Sequence, residues 1–410
     1  MSQFRRACIL GLLAVVGCLL ILTGCGASNG GQIRTRVPSG PYDTPQNVAA
    51  YQQAIGGFLA ASGQNKVQAL MFHVLTSSSS NFNDFMSNIL PNVSGVSIGM
   101  PWSQIETSQG VYNFSGFDAN LQPYLSAGKQ VNLVVWPATE GGNNDPNNGG
   151  STPAYVFSQA WATTVGASAP QDMAVCESYT GDSGNPDYSS AIAGNGGSWN
   201  INTSSDLSGL PISYEAPFMV AYQNFIVQVI KHYNAPGAPN IGYIRFGFSQ
   251  GGENSPECNQ YWAGYSHDVY LNYIKTMTDF VRAQNPSMTI LGDLHAVGPP
   301  GSVDYTYADT EAADAVSDGF GFGTNGLQQS DVTSVPCDSD WCSLFSRYPG
   351  RTLSLQTLQW TDPTGQLETG SLAVIVPFAQ QHGANNLELY LADLALAYSP
   401  NYCTYQHAVC

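Results

Sequence analysis

A charged pair of side chains stands out in the otherwise apolar segment Ile241–Pro256, IGYIRFGFSQGGENSP. Its first half alternates as a buried strand does, with Ile244 on one side and Arg245 on the other. An arginine on such a strand needs a buried acid or a wet cavity. Glu253 follows directly after the strand, where parallel α/β proteins carry catalytic groups. The segment therefore predicts either a carboxyl group for acid–base chemistry or a structural Arg–Glu pair beside a solvated loop glutamate.

A second carboxyl group is expected from the segment NLELYLADL, near the C-terminal end of the sequence. Its leucines Leu387 and Leu389 suit a face covered by helices, so the alternate residues Glu388 and Tyr390 point to the opposite, inner face. A buried glutamate needs a partner, and Arg245 is the natural one. Glu388 is then a structural counter-ion if it lies deep, or a second catalytic carboxyl group if it lies near an opening.

Further side chains near predicted strand ends could bind the hydroxyl groups or rings of a ligand, or could be ordinary packing and polar residues. The predicted ligand-binding residues are Trp102, Trp136, Asn254, Gln356, Trp360 and Tyr390. The polar residues His73, His295 and Asn325 could also bind hydroxyl groups, and the acids Glu140, Asp293 and Asp393 are weaker candidates for the second catalytic carboxyl group.

The elements that must position these side chains alternate along the sequence. Apolar segments predict eight strands, at Val67–Thr76, Val93–Trp102, Gln130–Pro137, Ile241–Ser249, Thr289–His295, Val316–Phe322, Thr352–Leu358 and Asn386–Leu391. Helical patterns are found at Asp43–Gly63, Phe117–Ala127, Ala216–Tyr233, His267–Asn285 and Gly370–His382. Eight successive βα units predict a closed (β/α)8 barrel, an α/β fold.

The connection after the third predicted strand is unusually long, from about residue 138 to 215, and rich in Gly, Asn, Ser and Asp. Loops of this length inside a compact domain are mostly functional lids or inserts. We expect this insertion at the C-terminal face of the barrel, where active sites lie, although a merely tolerated insertion has the same composition.

The N-terminal segment has the features of a leader. Arg5 and Arg6 precede the apolar run Cys8–Leu22, and LTGC ends at Cys25. This segment resembles a bacterial lipoprotein signal, which implies cleavage before Cys25, lipid on its sulfur and an extracytoplasmic protein, on the outer membrane if the cell has one. The predicted division is a signal peptide at 1–24, a lipidated cysteine and flexible tether at 25–45, and a barrel at 46–410.

Composition and cysteine positions limit the classes of partner, disulfide and metal site that the sequence predicts. Charged residues make up 10% of the chain and the formal net charge is −17, which argues against binding to nucleic acid or to anionic membrane surfaces. Six cysteines follow the leader, namely Cys176, Cys258, Cys337, Cys342, Cys403 and Cys410. Their spacing suggests disulfides Cys337–Cys342, Cys403–Cys410 and Cys176–Cys258, one of several possible connectivities. No CxxC, histidine cluster or phosphate-binding glycine loop predicts a metal or cofactor.

The segment Pro101–Asp118, PWSQIETSQGVYNFSGFD, carries a spaced set of Trp, Glu, Gly, Tyr, Phe and Asp residues. It resembles the second βα segment of retaining (β/α)8 glycoside hydrolases, the group that includes β-galactosidases, β-xylosidases and many endoglycanases. For Glu106 within it, a structural role is expected over a catalytic one.

The resemblance implies an acid/base residue after the fourth strand, which is Glu253, although Gly252 stands where the group has asparagine. It also implies a nucleophile at the end of the seventh strand, where this sequence has Gln356 or Gln359. Two hypotheses follow. One is a lipid-anchored glycoside hydrolase acting on a poly- or oligosaccharide. The other is a barrel without catalysis that binds carbohydrate or serves a structural role.

Overall fold

A computed structural model of the chain describes residues 45–138, 151–167, 175–177, 209–249, 252–254, 264–294, 303–327, 346–357, 370–402 and 405. The predicted leader and tether, most of the long connection after the third strand, and five of the six later cysteines lie outside these ranges. The predicted disulfides and lipid attachment therefore stay predictions.

Eight parallel strands close into a barrel, which confirms the predicted fold. The strands are β1 Lys66–Met71, β2 Gly95–Pro101, β3 Gln130–Trp136, β4 Ile241–Phe246, β5 Thr289–Asp293, β6 Gly321–Leu327, β7 Leu353–Thr357 and β8 Asn386–Tyr390. Each strand pairs with its neighbours in sequence, and β1 closes the ring by pairing with β8. Two short antiparallel pairs, Glu106–Ser108 with Val111–Tyr112 and Val175–Glu177 with Gly209–Pro211, lie outside the barrel sheet.

Helices cover the barrel and bury its outward-facing side chains. They are α1 Pro45–Ala61, α2 Ser115–Ser126, α3 Gln159–Thr164, α4 Ala216–Asn234, α5 His267–Ala283, α6 Val303–Ser317, α7 Leu372–Gln381 and α8 Leu391–Tyr398. Shorter helical turns span Phe82–Asn92, Trp102–Ile105 and Ala154–Phe157. None of the described helices is long and apolar enough to cross a membrane.

The predicted sixth strand was placed too early. Val316 belongs to helix α6, and β6 begins at Gly321. The helix ends because Gly319 adopts a φ of +83°, and the N–H groups of Gly319 and Phe320 donate to the carbonyls of Val316 and Ala315. This pairing is the usual glycine stop of a helix. The helix itself was missed because its described buried apolar residues are all alanines, Ala308, Ala312 and Ala315, which give a weak apolar pattern.

The interior of the barrel is polar at its N-terminal end. The Tyr243 hydroxyl lies 2.9 Å from the Ser97 hydroxyl, and Asn386 Nδ2 donates to it at 3.1 Å. Asn386 Nδ2 also donates to the Ser354 hydroxyl at 2.8 Å. Barrel interiors are usually filled by branched apolar residues. Here a hydrogen-bonded layer from β2, β4, β7 and β8 forms the floor beneath the residues of the candidate site.

Candidate functional site

An ion pair occupies the centre of the barrel. Arg245 on β4 donates from Nη1 to Glu388 Oε2 on β8 at 2.6 Å, and the two side chains are only 2% and 0% exposed. Both side chains lie inside the barrel and pair there, in the direction that the alternation of the two strands predicts. Burial alone lowers the pKa of Arg245, but the opposing effects, of which the negative charge of Glu388 is the largest, outweigh it and raise that pKa above its ordinary value.

Both carboxylate oxygens of Glu388 have partners. The Tyr243 hydroxyl donates to Oε1 at 2.6 Å, while Arg245 binds Oε2. Burial, and then the charge of Glu388, raise the pKa of Tyr243 well above its ordinary value, so Tyr243 remains a neutral donor. Each oxygen of Glu388 thus has a donor, and at 0% exposure the carboxylate does not reach a sugar in the mouth. The geometry fits the structural counter-ion, not the second catalytic carboxyl group that the sequence left open.

The seventh strand offers an amide at the corresponding level. Gln356 Oε1 on β7 accepts a hydrogen bond from Arg245 Nη2 at 2.6 Å, and Gln356 is buried. Its register partner on β8 is Glu388. On the described part of β7, Leu353–Thr357, no acidic residue is present. Gln356 therefore belongs to the buried network around Arg245. This position does not fit the predicted contact with substrate.

The segment 252–254 folds inward over the end of β4. A Cβ on Gly247 would collide with the backbone of Gly252 and Glu253, so this backbone fills the place of an inward side chain. Gly252 has a φ of +78°, and a Cβ there would lie 2.9 Å from both Trp136 Cδ1 and Val134 Cγ1. Two glycines thus allow the segment to enter the barrel mouth. The Glu253 side chain is partly exposed there, and its charge acts on Arg245.

Asn254 fixes the C-terminal side of this segment. Its Oδ1 accepts from the Phe248 N–H at 3.0 Å, and its own N–H donates to Asp293 Oδ2 on β5 at 3.1 Å. Its Nδ2 also donates to the Asp293 carbonyl. Asn254 is 1% exposed. The predicted role of Asn254 in binding substrate does not fit a side chain that is engaged by the backbone of two strand ends.

Asp293 is a stronger candidate for a functional role in this site than its place in the sequence indicated. Its side chain is 1% exposed, and its Oδ1 is buried without a hydrogen-bond partner among the described residues. Burial raises the pKa of Asp293 to about 7, against the opposing effects of the Arg245 charge and the Asn254 N–H. A carboxyl group that keeps its proton near neutral pH is suited to proton chemistry and to sites under electrostatic control.

Aromatic side chains form the wall of the mouth next to Glu253. Trp136 packs with Leu70, Val134 and the partly buried Phe72 and Tyr390. The Phe72 ring lies 5.2 Å from both Trp136 and Tyr390, measured between centroids. The indole Nε1 of Trp136 is buried and has no hydrogen-bond partner within the described part of the chain. His73 is exposed beside this wall, 6.5 Å from Trp136.

Trp102 lies elsewhere, behind the barrel wall. It is 0% exposed and packs against Tyr222 and Phe225 of helix α4, with ring centroids 5.4 and 5.5 Å away. Its Nε1 donates to Glu106 Oε2 at 2.6 Å. This position leaves no face of the ring for a sugar, because helix α4 covers it. Trp102 therefore has a packing role, contrary to the predicted substrate contact.

Several predicted site residues cannot be placed. Trp360, Gln359, His295 and Glu140 lie outside the described residues, as does the side chain of Asn325. Asp393 is fully buried at the start of α8. In the described ranges, no group of three or more His, Cys, Asp or Glu side chains is arranged to hold a metal ion.

A groove of about 790 Å3 opens at the opposite end of the barrel. It is lined by the segments leading into β3 and β4, with Lys129, Gln130, Gly237, Ala238, Pro239, Asn240 and Gly242 among its residues. It is remote from Glu253 in the fold, since it lies at the N-terminal ends of the strands, whereas Glu253 follows a C-terminal end.

No protein-family model matches the chain, and no curated protein sequence matches it. Solved structures with a similar course of the chain include the catalytic domain of a β-amylase from Paenibacillus polymyxa, at 11% identity and a TM-score of 0.43, covering 80% of this chain and 93% of that one. An endo-β-1,4-xylanase from Gloeophyllum trabeum gives 13% and 0.44, with 81% and 86% covered. An exo-β-1,4-mannosidase from Opitutaceae bacterium strain TAV5 gives 13% and 0.43, with 80% and 51% covered.

Proposed function

We propose that this protein is an extracytoplasmic glycoside hydrolase, anchored by lipid on Cys25, that acts on a poly- or oligosaccharide with Glu253 as general acid/base. The observation that carries the proposal is the position of Glu253. It is partly exposed at the C-terminal mouth of a (β/α)8 barrel, on a backbone segment that lies against Trp136. Active sites of such barrels lie at this face.

The surroundings of Glu253 suit a neutral, hydroxyl-rich ligand. An aromatic wall of Phe72, Trp136 and Tyr390 can pack on the apolar face of a sugar ring. The indole N–H of Trp136, which has no hydrogen-bond partner among the described residues, can donate to a hydroxyl oxygen. Beneath this wall, the charges of Arg245 and Glu388 pair with each other. The described part of the mouth thus offers contacts for a sugar and shows no exposed cation for phosphate or nucleic acid.

In this role, Glu253 as an acid gives its proton to the glycosidic oxygen that leaves, and as a base it later takes a proton from water. Glycosidases need a second carboxyl group across the scissile bond. Glu388 has no free oxygen for this purpose, and the described part of β7 supplies none.

That observation favours a second candidate function, a barrel without catalysis that binds carbohydrate through the same aromatic wall. The two candidates make different predictions for the wild type. The hydrolase releases reducing sugar from at least one glycan, whereas the binding protein retains a glycan and releases nothing.

The test is Glu253→Gln beside the wild type on a panel of glycans. We expect the amide to lower kcat by roughly 10^2–10^4-fold while glycan binding persists, because it cannot transfer a proton but keeps the shape of the side chain. Asp279→Asn is the matched control, since Asp279 is exposed on helix α5 and pairs with Lys275. Activity that survives Glu253→Gln removes Glu253 from the mechanism. Wild-type inactivity with binding retained selects the second candidate.

Lipid attachment is proposed from the leader alone. Metabolic labelling with a tagged fatty acid tests it. Label on the wild type that disappears in Cys25→Ser supports the anchor, and an unlabelled wild type contradicts it.

A further inference from the structure

The segment that carries Glu253 is attached to the barrel on both sides. On one side Gly252 lies against Val134 and Trp136 of β3. On the other side Asn254 donates its backbone N–H to Asp293 Oδ2 at 3.1 Å and its side-chain amide to the Asp293 carbonyl. The Asp293 carboxyl group is therefore one peptide unit away from Glu253 and takes part in holding its backbone.

Asp293 is exceptional among the buried acids of this site because its side chain is only half engaged. Oδ2 accepts from Asn254, whereas Oδ1 is buried and has no hydrogen-bond partner in the part of the chain that the structure describes. Glu388, by contrast, has a donor on each oxygen. A buried oxygen without a donor costs far more on a carboxylate than on a neutral acid.

The charge balance points the same way. The described charged groups that act on Asp293 are Arg245 from β4 and Glu388 from β8, and these two already neutralise each other. Glu253 adds a further negative charge near Arg245. An ionised Asp293 would therefore bring a surplus negative charge into the barrel. Burial, which is the largest effect, raises the pKa of Asp293 to about 7, so the group keeps its proton below neutral pH.

We propose that Asp293 is a positioning residue for Glu253, which holds segment 252–254 through Asn254 and does so as a neutral acid. The inference rests on the proposed hydrolase function for its catalytic consequence. Asp293 acts through the backbone because, at 1% exposure, its side chain does not reach a ligand in the mouth. Loss of its proton strengthens the bond from the Asn254 N–H but leaves an uncompensated charge on the buried Oδ1, so the site as a whole becomes less stable.

The first experiment compares the pH profiles of kcat for three variants. Asp293→Asn keeps an oxygen that accepts from Asn254 and cannot ionise, so we expect near wild-type kcat at acidic pH and a fall at alkaline pH that begins higher than in the wild type. Asp293→Ala lacks the acceptor, so we expect kcat to drop roughly 10–100-fold at all pH values with KM little changed. Asn254→Ala keeps the N–H that donates to Asp293 but loses both side-chain hydrogen bonds of Asn254, so it should also lower kcat and keep the wild-type alkaline limb.

A second experiment needs no activity and separates failure of this inference from failure of the proposed function. Because the folded-state pKa of Asp293 is raised above that of the unfolded chain, the wild type loses stability as the pH rises from about 4 to about 7. Asp293→Asn escapes this loss. We expect its Tm advantage over the wild type to grow across that range, while the control Asp268→Asn, at an exposed position of α5, shows no such trend.

Amide hydrogen exchange in the peptide that covers residues 247–254 completes the test. Exchange should be faster in Asp293→Ala and Asn254→Ala than in the wild type, and unchanged in Asp293→Asn at acidic pH. A Tm difference that is constant with pH overturns the neutral acid. Unchanged exchange in both alanine variants overturns the positioning role. A wild type that is inactive on every glycan contradicts the proposed hydrolase function but leaves both of these readouts valid.

Discussion

The buried polar side chains of the barrel interior differ in how many of their polar atoms have hydrogen-bond partners. Arg245 contributes one Nη to Glu388 and the other to Gln356, each at 2.6 Å. Tyr243 completes the coordination of Glu388. Replacement of such a buried pair by apolar residues is often neutral or stabilising, whereas removal of one partner leaves an uncompensated buried charge. The pair therefore specifies the arrangement of β4, β7 and β8 more than it adds net stability.

This reasoning predicts the effect of breaking the pair. Arg245→Met should lower the free energy of unfolding by about 3–5 kcal/mol, because Glu388 is left buried without its cation. The double variant Arg245→Met/Glu388→Gln should recover part of that loss. Urea unfolding measures both. Lys275→Met is the control, since its pair with Asp279 is about half exposed, and it should change stability by less than about 1 kcal/mol. A double variant that loses as much as the two single variants together would contradict the coupling.

At the scale of elements, the motif Pro101–Asp118 connects helices α2 and α4. Within it, Glu106 accepts hydrogen bonds from Trp102 Nε1 at 2.6 Å and from the Gly110 N–H at 2.8 Å. The Phe114 ring stacks on His232 of α4, with centroids 4.0 Å apart. Asp118 on α2 accepts from the Tyr233 hydroxyl at 3.0 Å. The motif thus holds the outer helices together, and Glu106 has a structural role, as the sequence predicts.

A second element, the inward-folded segment 252–254, depends on a glycine that lies opposite it. Gly247→Ala places a Cβ where the backbone of Gly252 and Glu253 runs, so the segment must move out of the mouth. We expect loss of glycan hydrolysis or binding and a decrease in unfolding free energy of about 1–3 kcal/mol, with the barrel retained by circular dichroism.

Gly57→Ala is the matched control for this change. Gly57 lies on the exposed side of α1, and a Cβ there meets nothing within 4 Å. Helix propensity should make it about 0.5–1 kcal/mol more stable. Ligand affinity and activity in Gly247→Ala equal to those of the control would show that the position of the segment does not matter.

At the scale of the whole molecule, the sequence predicted the features that depend on local periodicity. The strand containing Arg245 and the strand containing Glu388 could be assigned inner and outer faces because alternation has a period of two. Since both residues face inward, their pairing followed. The depth of Glu388 did not follow, because it depends on how far each strand is shifted against its neighbours and on the hydroxyl of Tyr243, which is distant in sequence.

The special position of Asp293 was equally hidden from the sequence. Its partner Asn254 belongs to another βα unit, and the unpaired Oδ1 is visible only once the surrounding strands are assembled. Trp102 was misassigned for a related reason. A tryptophan at a strand end can face the mouth or the helices, and only the position of α4 decides between them. Contacts between units, rather than the units themselves, are what a single sequence conceals.

Closure of the barrel also makes the two ends of the described chain interdependent. Strand β1 pairs with β8, and helix α1 packs against α7 and α8. Tyr51, Ile55 and Phe58 of α1 are at most 1% exposed, and Gln52 Nε2 donates to the Ala397 carbonyl at 2.7 Å. Burial of three such side chains contributes about 5–9 kcal/mol, which is comparable to the whole stability of an ordinary domain.

We therefore expect a chain that begins at Gln64, without α1, to lose cooperative unfolding and to expose the apolar faces of α7 and α8. A chain that begins at Asp43 keeps α1 and should unfold in one sharp transition. Urea titrations followed by tryptophan fluorescence compare the two, with dye binding as a measure of exposed apolar surface. Phe58→Ala in the longer chain is the intermediate case, with an expected loss of about 3–5 kcal/mol. A shorter chain with the same midpoint as the longer one would show that the barrel closes without its first helix, and that the contacts of α1 with α7 and α8 add little to its stability.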